Sequence, residues 1–294
     1  MGNDVAQNRI VYVNGEWMAD HLARVSIFDR GFLFADAIYE VTAIAQGRLI
    51  DFAGHAARLW RSLNLLNIPA FISEAELLAL HREIALKNRI QEGLVYLQIS
   101  RGVQDRNFLY ANDLQPTIAL FTQARDILQN PKWLTGISMK TMPDGRWANR
   151  HIKTVQLLYA SLAKTEAVAE GFDDTLFVEN GLITESCSAN FHIITHDGRL
   201  VTREPSNALL HGITRASILA LARQAGIRAE ERAFSLDEAM QASEAFITDS
   251  IGMVVPVVSI DRQQIGSGKP GLASAQLREL YVKDRLANGV SIST

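Results

Sequence analysis

The sequence predicts an α+β fold in two domains, with mixed, largely antiparallel sheets and flanking helices. Short strand-like runs are joined by tight turns, and segments of helical periodicity lie between them in both halves of the 294-residue chain. The dipeptides Asn14-Gly15 and Asn180-Gly181, each between apolar runs, are typical of hairpin turns. Because two-residue hairpins join antiparallel strands, we do not expect a doubly wound parallel sheet.

The first half is predicted to combine strands with two helices. Apolar runs and alternation predict strands at residues 10–13, 37–45, 48–50, 95–101 and 117–122, and a strand end that runs into a loop at residues 25–31. An apolar stripe at helical spacing predicts a helix over residues 53–66. Ser73 and Glu76 have the spacing of a capping box, which predicts a second helix that ends near residue 88.

A polar stretch at residues 123–133 is interpreted as a linker between an N-terminal domain at residues 1–122 and a C-terminal domain at residues 134–294. Beyond it, strands are predicted at residues 137–142, 175–178, 182–183, 191–195, 200–202 and 245–248. Helices are predicted from Lys153 to about residue 170, over residues 216–224 with Thr214 as the cap, after Ser235 with Glu238 as a capping box, and over residues 273–287.

Composition and charge argue against several classes of partner. With 29 basic and 32 acidic residues the net charge is -3, so nothing favours a nucleic acid or an anionic membrane. The single cysteine, Cys187, cannot form an internal disulfide and fits a reducing compartment. Residues 1–9 are polar and lack the apolar core of a signal peptide, and no apolar run of about 18 residues occurs. We therefore expect a soluble cytoplasmic protein.

Lys153 and Glu185 have surroundings that favour a charged cofactor. Lys153 is predicted to begin a helix among apolar neighbours, where burial and the helix dipole would lower the pKa of its amine. A lysine of lowered pKa forms a Schiff base with an aldehyde. Glu185 follows a hairpin strand, and a carboxylate there suits a protonated ring nitrogen, which it would keep cationic. Taken singly, each residue is also compatible with a solvated surface charge.

Two turns of small residues, at residues 212–214 and around Ser250 and Ile251, suit an anion. The first turn begins a helix, where free backbone N–H groups and the helix dipole point at one spot. Arg58 on the first helix suits a phosphate, and Arg106 in a loop suits a carboxylate, because a guanidinium binds such groups through two parallel hydrogen bonds. Each feature also occurs as an ordinary cap, turn or surface charge.

The order of these residues and of several motifs resembles the fold-type IV pyridoxal-phosphate aminotransferases. The matching motifs are Tyr12-Val13-Asn14-Gly15, Asp29-Arg30-Gly31-Phe32, Ile38-Tyr39-Glu40-Val41, His55 to Leu59, Ser100-Arg101-Gly102, Ile152-Lys153-Thr154, Leu162-Ala163-Lys164, Thr184-Glu185, Ser188-Ala189-Asn190 and Gly212 to Arg215. Within that family the chain is most similar to the D-amino-acid transaminases. The resemblance implies two α+β domains with the cofactor between them, in a homodimer.

The resemblance also implies roles for the residues that match. Lys153 is similar to the lysine that carries pyridoxal 5'-phosphate and later moves the proton, and Glu185 to the partner of the pyridine nitrogen. The other implied cofactor-binding residues are Arg58, Ile213 through its backbone N–H, Thr214, Ser250 and Ile251 at the phosphate, and Leu210 at the ring face. The chain departs from the family at Ile251, where a second hydroxyl residue is usual. No metal-binding residue is implied.

The implied substrate-binding residues depart further from the family pattern. Arg106 matches the arginine that binds the α-carboxylate in D-amino-acid transaminases, whereas Phe108 and Phe32 stand where a histidine and a tyrosine are usual. Tyr39 is assigned to the same set. A lone arginine still holds a carboxylate through a charge-assisted bond of roughly 1.5–3 kcal/mol. The two phenylalanines make the expected pocket more apolar.

The resemblance implies a ping-pong transamination between a D-amino acid, such as D-alanine or D-glutamate, and 2-oxoglutarate or pyruvate. The apolar pocket leaves open an (R)-selective amine transaminase and then a branched-chain transaminase. An aminodeoxychorismate lyase, which uses the same cofactor and lysine, also stays open, and last a relative that keeps the fold but binds without catalysis. Residues 34–39, Phe-Ala-Asp-Ala-Ile-Tyr, depart from the Gly-Asp-Gly-containing motif usual in branched-chain transaminases. Small amino and keto acids are the expected partners.

Overall fold

A computed structural model describes residues 9–293. These residues form two compact units: the first comprises residues up to Ile127, Ile152–Gln156 and the C-terminal residues from Asn288, and the second comprises Leu128–His151 and Leu157–Ala287. The polar N-terminal stretch lies, apart from Arg9, outside the described residues. Over residues 9–293, no helix combines the length and apolarity that crossing a membrane requires.

Strands and helices follow one another irregularly along the chain. The strands are β1 (Ile10–Val13), β2 (Glu16–Ala19), β3 (Ala37–Ala45), β4 (Arg48–Leu49), β5 (Gly93–Ser100), β6 (Thr117–Ala124), β7 (Ile137–Pro143), β8 (Asp174–Glu179), β9 (Leu182–Ser186), β10 (Asn190–Ile194), β11 (Leu200–Thr202), β12 (Ala229–Glu231), β13 (Glu244–Asp249), β14 (Met253–Ile260), β15 (Gln263–Gln264) and β16 (Val290–Ser291). The helices are α1 (Arg30–Phe34), α2 (Phe52–Leu65), α3 (Glu74–Lys87), α4 (Lys132–Thr135), α5 (Leu158–Ala169), α6 (Ile213–Gln224), α7 (Leu236–Met240) and α8 (Leu272–Asn288), with a 3-10 turn at Asp20–Leu22.

The first unit is built on an antiparallel sheet with the strand order β16-β4-β3-β5-β6-β1-β2. Each neighbouring pair in this order runs antiparallel. β3 and β5 pair along nearly their whole length, from Ala37 opposite Ser100 to Ile44 opposite Gly93. α2 and α3 pack against strands of this sheet, and apolar residues of β3 such as Ile38 and Ile44 are fully buried. β3 therefore forms part of the core of this unit.

The second unit is built on a mixed sheet with the strand order β12-β11-β10-β13-β14-β7-β8-β9, and β15 pairs with β14. The pairs β11–β12, β7–β14 and β7–β8 are parallel and the others antiparallel. Its core includes the buried side chains Met139, Phe191, Ile193 and Phe234. The prediction of mixed, largely antiparallel sheets is confirmed.

Cys187 lies between β9 and β10 in a small apolar cluster of the second unit. Its side chain packs with Ala160, Ala163 and Phe177. The Cys187 thiol donates a weak hydrogen bond to the backbone oxygen of Ala160 at 3.3 Å. The thiol is therefore held by its surroundings rather than directed into solvent.

The two hairpin turns predicted from Asn-Gly dipeptides are confirmed. Asn14 and Gly15 have φ of 48° and 97°, and Asn180 and Gly181 have φ of 53° and 76°. Positive φ at both central residues defines the type I′ turn, whose twist matches that of antiparallel strands. The turn residues themselves therefore favour the fold-back at β1–β2 and β8–β9. At β1–β2 the turn is also bonded to β6: the Asn14 N–H donates to the Ile118 oxygen at 3.0 Å, and the Ile118 N–H donates to Asn14 Oδ1 at 2.9 Å.

The capping box at the start of α3 is also confirmed. The N–H of Glu76 donates to Ser73 Oγ at 3.3 Å, and the N–H of Ser73 donates to the Glu76 carboxylate at 2.8 Å. These reciprocal bonds satisfy two backbone donors that a helix start otherwise leaves unpaired. The bounds of α2 and α8 agree with the predicted helices to within one residue.

The strand end predicted at residues 25–31 is wrong. The helix α1 begins at Arg30, and Asp29 is its N-cap, with its carboxylate accepting the Gly31 N–H at 2.8 Å. Asp29 pairs with Val103 only through an isolated bridge. Aspartate is among the preferred N-cap residues because its side chain accepts such an N–H. This local bond favours the helix start at Arg30, although the apolar run before Asp29 predicts a strand.

The prediction that Lys153 begins a helix is wrong, because α5 begins only at Leu158. Residues 152–156 are bound to β3 instead: the Tyr39 N–H donates to the Lys153 oxygen at 3.0 Å, and the Val155 N–H donates to the Ala37 oxygen at 3.1 Å. This pairing groups the segment with the first unit, whereas the sequence assigned Lys153 to the C-terminal domain. The linker and the outer domain limits stay predictions.

Two predicted caps need correction. α6 begins at Ile213 with Gly212 as the N-cap, so Thr214 lies inside the first turn and does not cap it. At α7 the Glu238 N–H donates to Ser235 Oγ at 3.1 Å, but the Glu238 carboxylate binds Arg232, so half of the predicted capping box forms.

The sequence predicts no strand at β14, although this strand lies between β13 and β7 in the second sheet. β14 contains Pro256, which lies opposite Phe246 of β13. Proline is uncommon in central strands because it lacks a backbone donor. Pro256 therefore argues against a strand in the sequence, although pairing with β13 and β7 stabilises one in the structure.

Candidate active site

Arg58 is buried and forms an ion pair with Glu40 inside the first unit. Arg58 on α2 donates to the two oxygens of Glu40 on β3, from Nε and Nη2, each at 2.7 Å. His55, one turn earlier on α2, has Nδ1 2.8 Å from the same carboxylate. Burial alone would raise the pKa of Glu40, but the Arg58 guanidinium and the bonds from Arg58 and His55 hold that pKa well below its usual range.

Lys153 and Tyr39, both predicted site residues, lie together. The Lys153 amine is 4.1 Å from the centroid of the Tyr39 ring. Tyr39 stacks on Tyr96 at 5.6 Å, and Tyr96 stacks on Phe121 at 4.6 Å. An ammonium above a ring face is attracted by the ring quadrupole. The stacked rings, together with the backbone bonds to β3, therefore fix where the Lys153 amine lies.

Arg106 and Phe108 also come together, with Phe34 as a neighbour that sequence reasoning missed. The Arg106 guanidinium carbon lies 5.8 Å from the Phe34 centroid and 5.6 Å from the Phe108 centroid. The two rings meet edge to face at 5.5 Å. Phe108 is 78% exposed, and Phe32 on α1 is 74% exposed. Arg106 makes no hydrogen bond or ion pair with any residue that the structure describes, so its donors are available to an anion.

Glu185 is buried at the end of β9, where three residues donate to its carboxylate. Arg146 Nη1 donates to Oε1 at 2.7 Å, and Asn190 Nδ2 donates to Oε2 at 3.0 Å. The Leu210 N–H lies 3.1 and 3.2 Å from the two oxygens. Burial raises the pKa of Glu185, and Arg146 counteracts that increase. Of these three donors Arg146 alone is charged, and it is shared with Asp144.

Sequence reasoning missed Arg146. Its guanidinium binds both Asp144, at 2.7 Å, and Glu185. The available signal was the group of charges Asp144, Arg146 and Arg150 directly before the Lys153 segment, in a stretch that directly follows a strand. Such a group is usually solvated, and only the fold shows that these three side chains are buried.

The first turn of α6 offers backbone donors beside Glu185. Gly212 is the N-cap and no side chain caps this helix. A Cβ at Gly212 would clash with Oδ1 of Asn190, whose amide also donates to the Leu210 oxygen at 2.9 Å. Thr214 in the same turn is buried. Asn190 therefore connects the carboxylate of Glu185 with the start of α6, which the predicted residues Leu210 and Thr214 flank.

The turn between β13 and β14 is less open than the sequence predicts. The Asp249 carboxylate accepts the N–H groups of Ile251 and Gly252, each at 2.7 Å. The backbone N–H of Ile251 is therefore already bonded within the turn. Ser250 lies in the same turn.

Residues 37–260 match the family described as Amino-transferase class IV. The chain belongs to the class IV aminotransferases. This class IV aminotransferase is 36% identical over 263 residues to a D-alanine aminotransferase of Bacillus licheniformis, which covers 89% of this chain and 92% of that protein. It is 34% identical over 276 residues to a D-alanine aminotransferase of Listeria monocytogenes serotype 4b, with 93% and 95% covered.

Solved structures show the same fold. The branched-chain amino acid aminotransferase of Escherichia coli has a TM-score of 0.89 at 21% identity, with 95% of each chain covered. The branched-chain amino acid aminotransferase of Thermobaculum terrenum in its PLP form has a TM-score of 0.83 at 21% identity, with 96% of this chain and 95% of that chain covered. The predicted α+β fold of the fold-type IV aminotransferases is thus confirmed.

Proposed function

We propose that this class IV aminotransferase catalyses pyridoxal 5'-phosphate-dependent transamination between a D-amino acid and a 2-oxo acid by a ping-pong mechanism. Its similarity to D-alanine aminotransferases carries this proposal, because that similarity spans 89% of this chain and 92% of the Bacillus licheniformis protein. D-alanine or D-glutamate would be the donor, and pyruvate or 2-oxoglutarate the acceptor.

The donor set of the chain fits this cofactor. The buried Glu185 carboxylate shares its charged partner Arg146 with Asp144, and a cationic ring N–H would compensate the negative charge that remains. The α6 start has backbone donors without a side-chain cap, which suits a phosphate. When bound, pyridoxal phosphate supplies an aldehyde that condenses with amines and a ring that stores electrons.

Each predicted residue has a proposed task in this reaction. Lys153 would hold the cofactor through its Nζ. Once released, that Nζ would take the proton from the substrate Cα and deliver it to the carbon of the former cofactor aldehyde, and the second half-reaction would reverse this transfer. Glu185 would keep the ring nitrogen protonated. The phosphate is assigned to Arg58, Ile213, Thr214 and Ser250, the ring face to Leu210, and the orientation of the Lys153 amine to Tyr39. Ile251, whose backbone N–H is bonded to Asp249, is assigned to the phosphate site as a neighbour and not as a donor.

Arg106 is proposed to bind the substrate carboxylate between two aromatic rings. Its guanidinium is available, and a guanidinium binds a carboxylate through charge-assisted hydrogen bonds. The exposed rings of Phe32 and Phe108 also favour a second candidate, an (R)-selective amine transaminase, whose substrate presents an apolar group there. Which of the two substrate classes reacts would then depend on the group that Phe32, Arg106 and Phe108 accept.

We extend the proposal to a cytoplasmic homodimer whose further partners are small amino and keto acids. Leu158 and Leu162, one turn apart on α5, are 74% and 60% exposed. Large apolar side chains left exposed on one face of a helix support a second copy as their cover.

A half-reaction screen tests the proposed function. The absorbance of the bound cofactor is followed after mixing with D-alanine, D-glutamate, L-leucine or (R)-1-phenylethylamine, and the D-amino acids should react fastest. Lys153→Ala should abolish the reaction, whereas Lys87→Ala, at an exposed lysine of α3, should leave it unchanged. If the amine reacted at least as fast as the D-amino acids, the second candidate would replace the first. Turnover by the Lys153→Ala variant would contradict the assignment of that lysine.

A further inference from the structure

A row of alternating charges leads to Glu185 inside the second unit. Arg150 binds Glu179 at 2.7 Å and Asp144 at 3.1 Å. Arg146 binds the two oxygens of Asp144 at 2.9 and 2.7 Å, and through Nη1 it binds Glu185 at 2.7 Å. We call these five residues the charge row. The row joins the candidate cofactor carboxylate to a side chain near the surface.

Glu179 is the most exposed member of the charge row, and the other four side chains are largely buried. The Glu179 side chain is 35% exposed, whereas that of Asp144 is fully buried and those of Arg146 and Glu185 are nearly so. The Thr184 hydroxyl adds a hydrogen bond to Asp144 at 2.7 Å. Buried charges stay favourable only where each is paired and hydrogen-bonded, so loss of one member leaves its neighbour uncompensated.

The charge row holds three carboxylates and two guanidiniums. Arg146 directs two of its bonds to Asp144 and one to Glu185, so the inner carboxylate receives only part of one positive charge. The deficit of one cation falls at Glu185, where a protonated ring nitrogen would complete the alternation. The charged groups that act on Glu185 within this unit are Arg146, which favours its ionised form, and Asp144, which opposes it.

We propose that Arg146 is a positioning residue that holds Glu185 ionised and oriented toward the cofactor ring nitrogen, and that Asp144 sets how strongly it does so. This inference rests on the proposed function. The Arg146 guanidinium lies 4.6 Å above the Phe177 ring, which restricts it to one plane. Asn190 and the Leu210 N–H fix the Glu185 carboxylate from its other sides. Arg146 supplies the charge, and these neighbours supply the direction.

The two charged neighbours act on Glu185 in opposite senses, which gives a test by sign. Loss of the positive charge in Arg146→Gln should favour the protonated form of Glu185 and move its titration to higher pH. In Asp144→Asn the negative charge that competes for Arg146 is lost, so Arg146 should pair with Glu185 alone. The titration of Glu185 should then move to lower pH. If Arg146 and Asp144 only stabilised the fold, neither substitution would change the titration midpoint of Glu185.

The measurement is a 13C NMR titration of labelled glutamate carboxyls in the full chain, with cofactor and after its removal. The Glu185 signal is assigned by its loss in Glu185→Gln. Arg146→Gln should shift the midpoint upward by at least about one pH unit, a tenfold change in proton affinity. Arg146→Lys keeps the charge and should restore part of that shift. Arg199→Gln is the control, because Arg199 pairs with Asp197 and Glu230 away from the charge row.

With cofactor bound, the acid limb of the pH profile for the D-alanine half-reaction should move upward in Arg146→Gln by a similar amount. An unchanged Glu185 midpoint in this variant would overturn the inference. If Arg146→Gln did not fold, the downward shift in Asp144→Asn would decide, and an upward shift or none would overturn it. Failure of the proposed function would appear differently, as a wild-type chain that neither binds pyridoxal phosphate nor reacts with amino donors.

Discussion

At the residue scale, the ion pair of Glu40 with Arg58 should contribute strongly to stability. Glu40→Gln removes the charge that compensates the buried Arg58 guanidinium, and breaking a buried pair costs about 3–5 kcal/mol. Urea unfolding of the two chains measures the difference in free energy of unfolding. Because the folded pKa of Glu40 lies below its ordinary value of 4.5, its contribution is present above pH 4.5 and is lost as the pH falls further.

A matched control is Glu83→Gln on α3. Glu83 pairs with Lys87 at 3.3 Å, but both side chains are exposed, so the change should cost less than about 1 kcal/mol. The stability difference between wild type and Glu40→Gln should shrink in acid, while that for Glu83→Gln stays small. Equal losses for the two variants would show that burial does not strengthen the Glu40 pair.

The sequence predicts single site residues better than it predicts their partners. Lys153, Glu185 and Arg58 follow from motifs, since each lies in a short run that resembles one family. Arg146 does not follow, because its partner Glu185 is far away in sequence and only the pairing of β7 with β8 and of β8 with β9 brings them together. The partner of a buried charge is decided by tertiary structure, which leaves no local pattern.

At the scale of elements, the start of α6 depends on a glycine for steric reasons. The φ and ψ of Gly212, -66° and 137°, suit alanine, so Gly212→Ala should act only through the clash with Asn190. Displaced Asn190 would lose its bond to Glu185, worth about 1.5–3 kcal/mol for a charged acceptor. We therefore expect roughly 10- to 100-fold weaker retention of pyridoxal phosphate, measured by equilibrium dialysis.

Ala216→Gly, at an exposed position in the same helical turn, is the control for that experiment. It removes a Cβ instead of adding one, so it should lower helix stability by up to about 1 kcal/mol without changing cofactor retention. Equal retention by Gly212→Ala and wild type would mean that Asn190 does not support the site.

Elements governed by neighbouring residues are the ones that the sequence predicts well. The Asn-Gly hairpins are favoured by the positive φ of their two central residues, and the capping box consists of bonds between Ser73 and Glu76, three positions apart. The start of α5 is set by distant residues, because residues 152–156 bond to β3. The strand β14 forms despite Pro256, because it pairs with a strand on each side. Errors therefore occur where a distant strand competes with the local preference.

At the scale of the whole molecule, the chain should sediment at about twice its mass of 32.5 kDa. Exposed Leu158 and Leu162 on α5 supply apolar surface that a second copy would cover. The double substitution Leu158→Lys and Leu162→Lys should weaken the dimer, whereas Leu86→Lys, at a half-exposed leucine of α3, should not. Sedimentation at the mass of one chain over micromolar concentrations would contradict the homodimer.

The fold class was predictable because turn signals and periodicity agree over most of the chain. The grouping of residues 152–156 with the first unit was not, since their sequence position lies inside the second unit and only backbone bonds to β3 draw them away. A prediction from sequence assigns each segment to the same domain as the residues that flank it. It therefore misassigns a segment such as 152–156, whose flanking residues belong to the other unit.

The partly buried thiol of Cys187 has a practical consequence for labelling. Burial raises the pKa of Cys187 to about 12, so the thiolate is scarce at neutral pH. Maleimides, iodoacetamide and peroxides react with the thiolate, and this cysteine should therefore be nearly inert toward them. A cysteine introduced at an exposed position, such as Lys87 on α3, would accept a fluorophore or spin label alone, with the native Cys187 left in place.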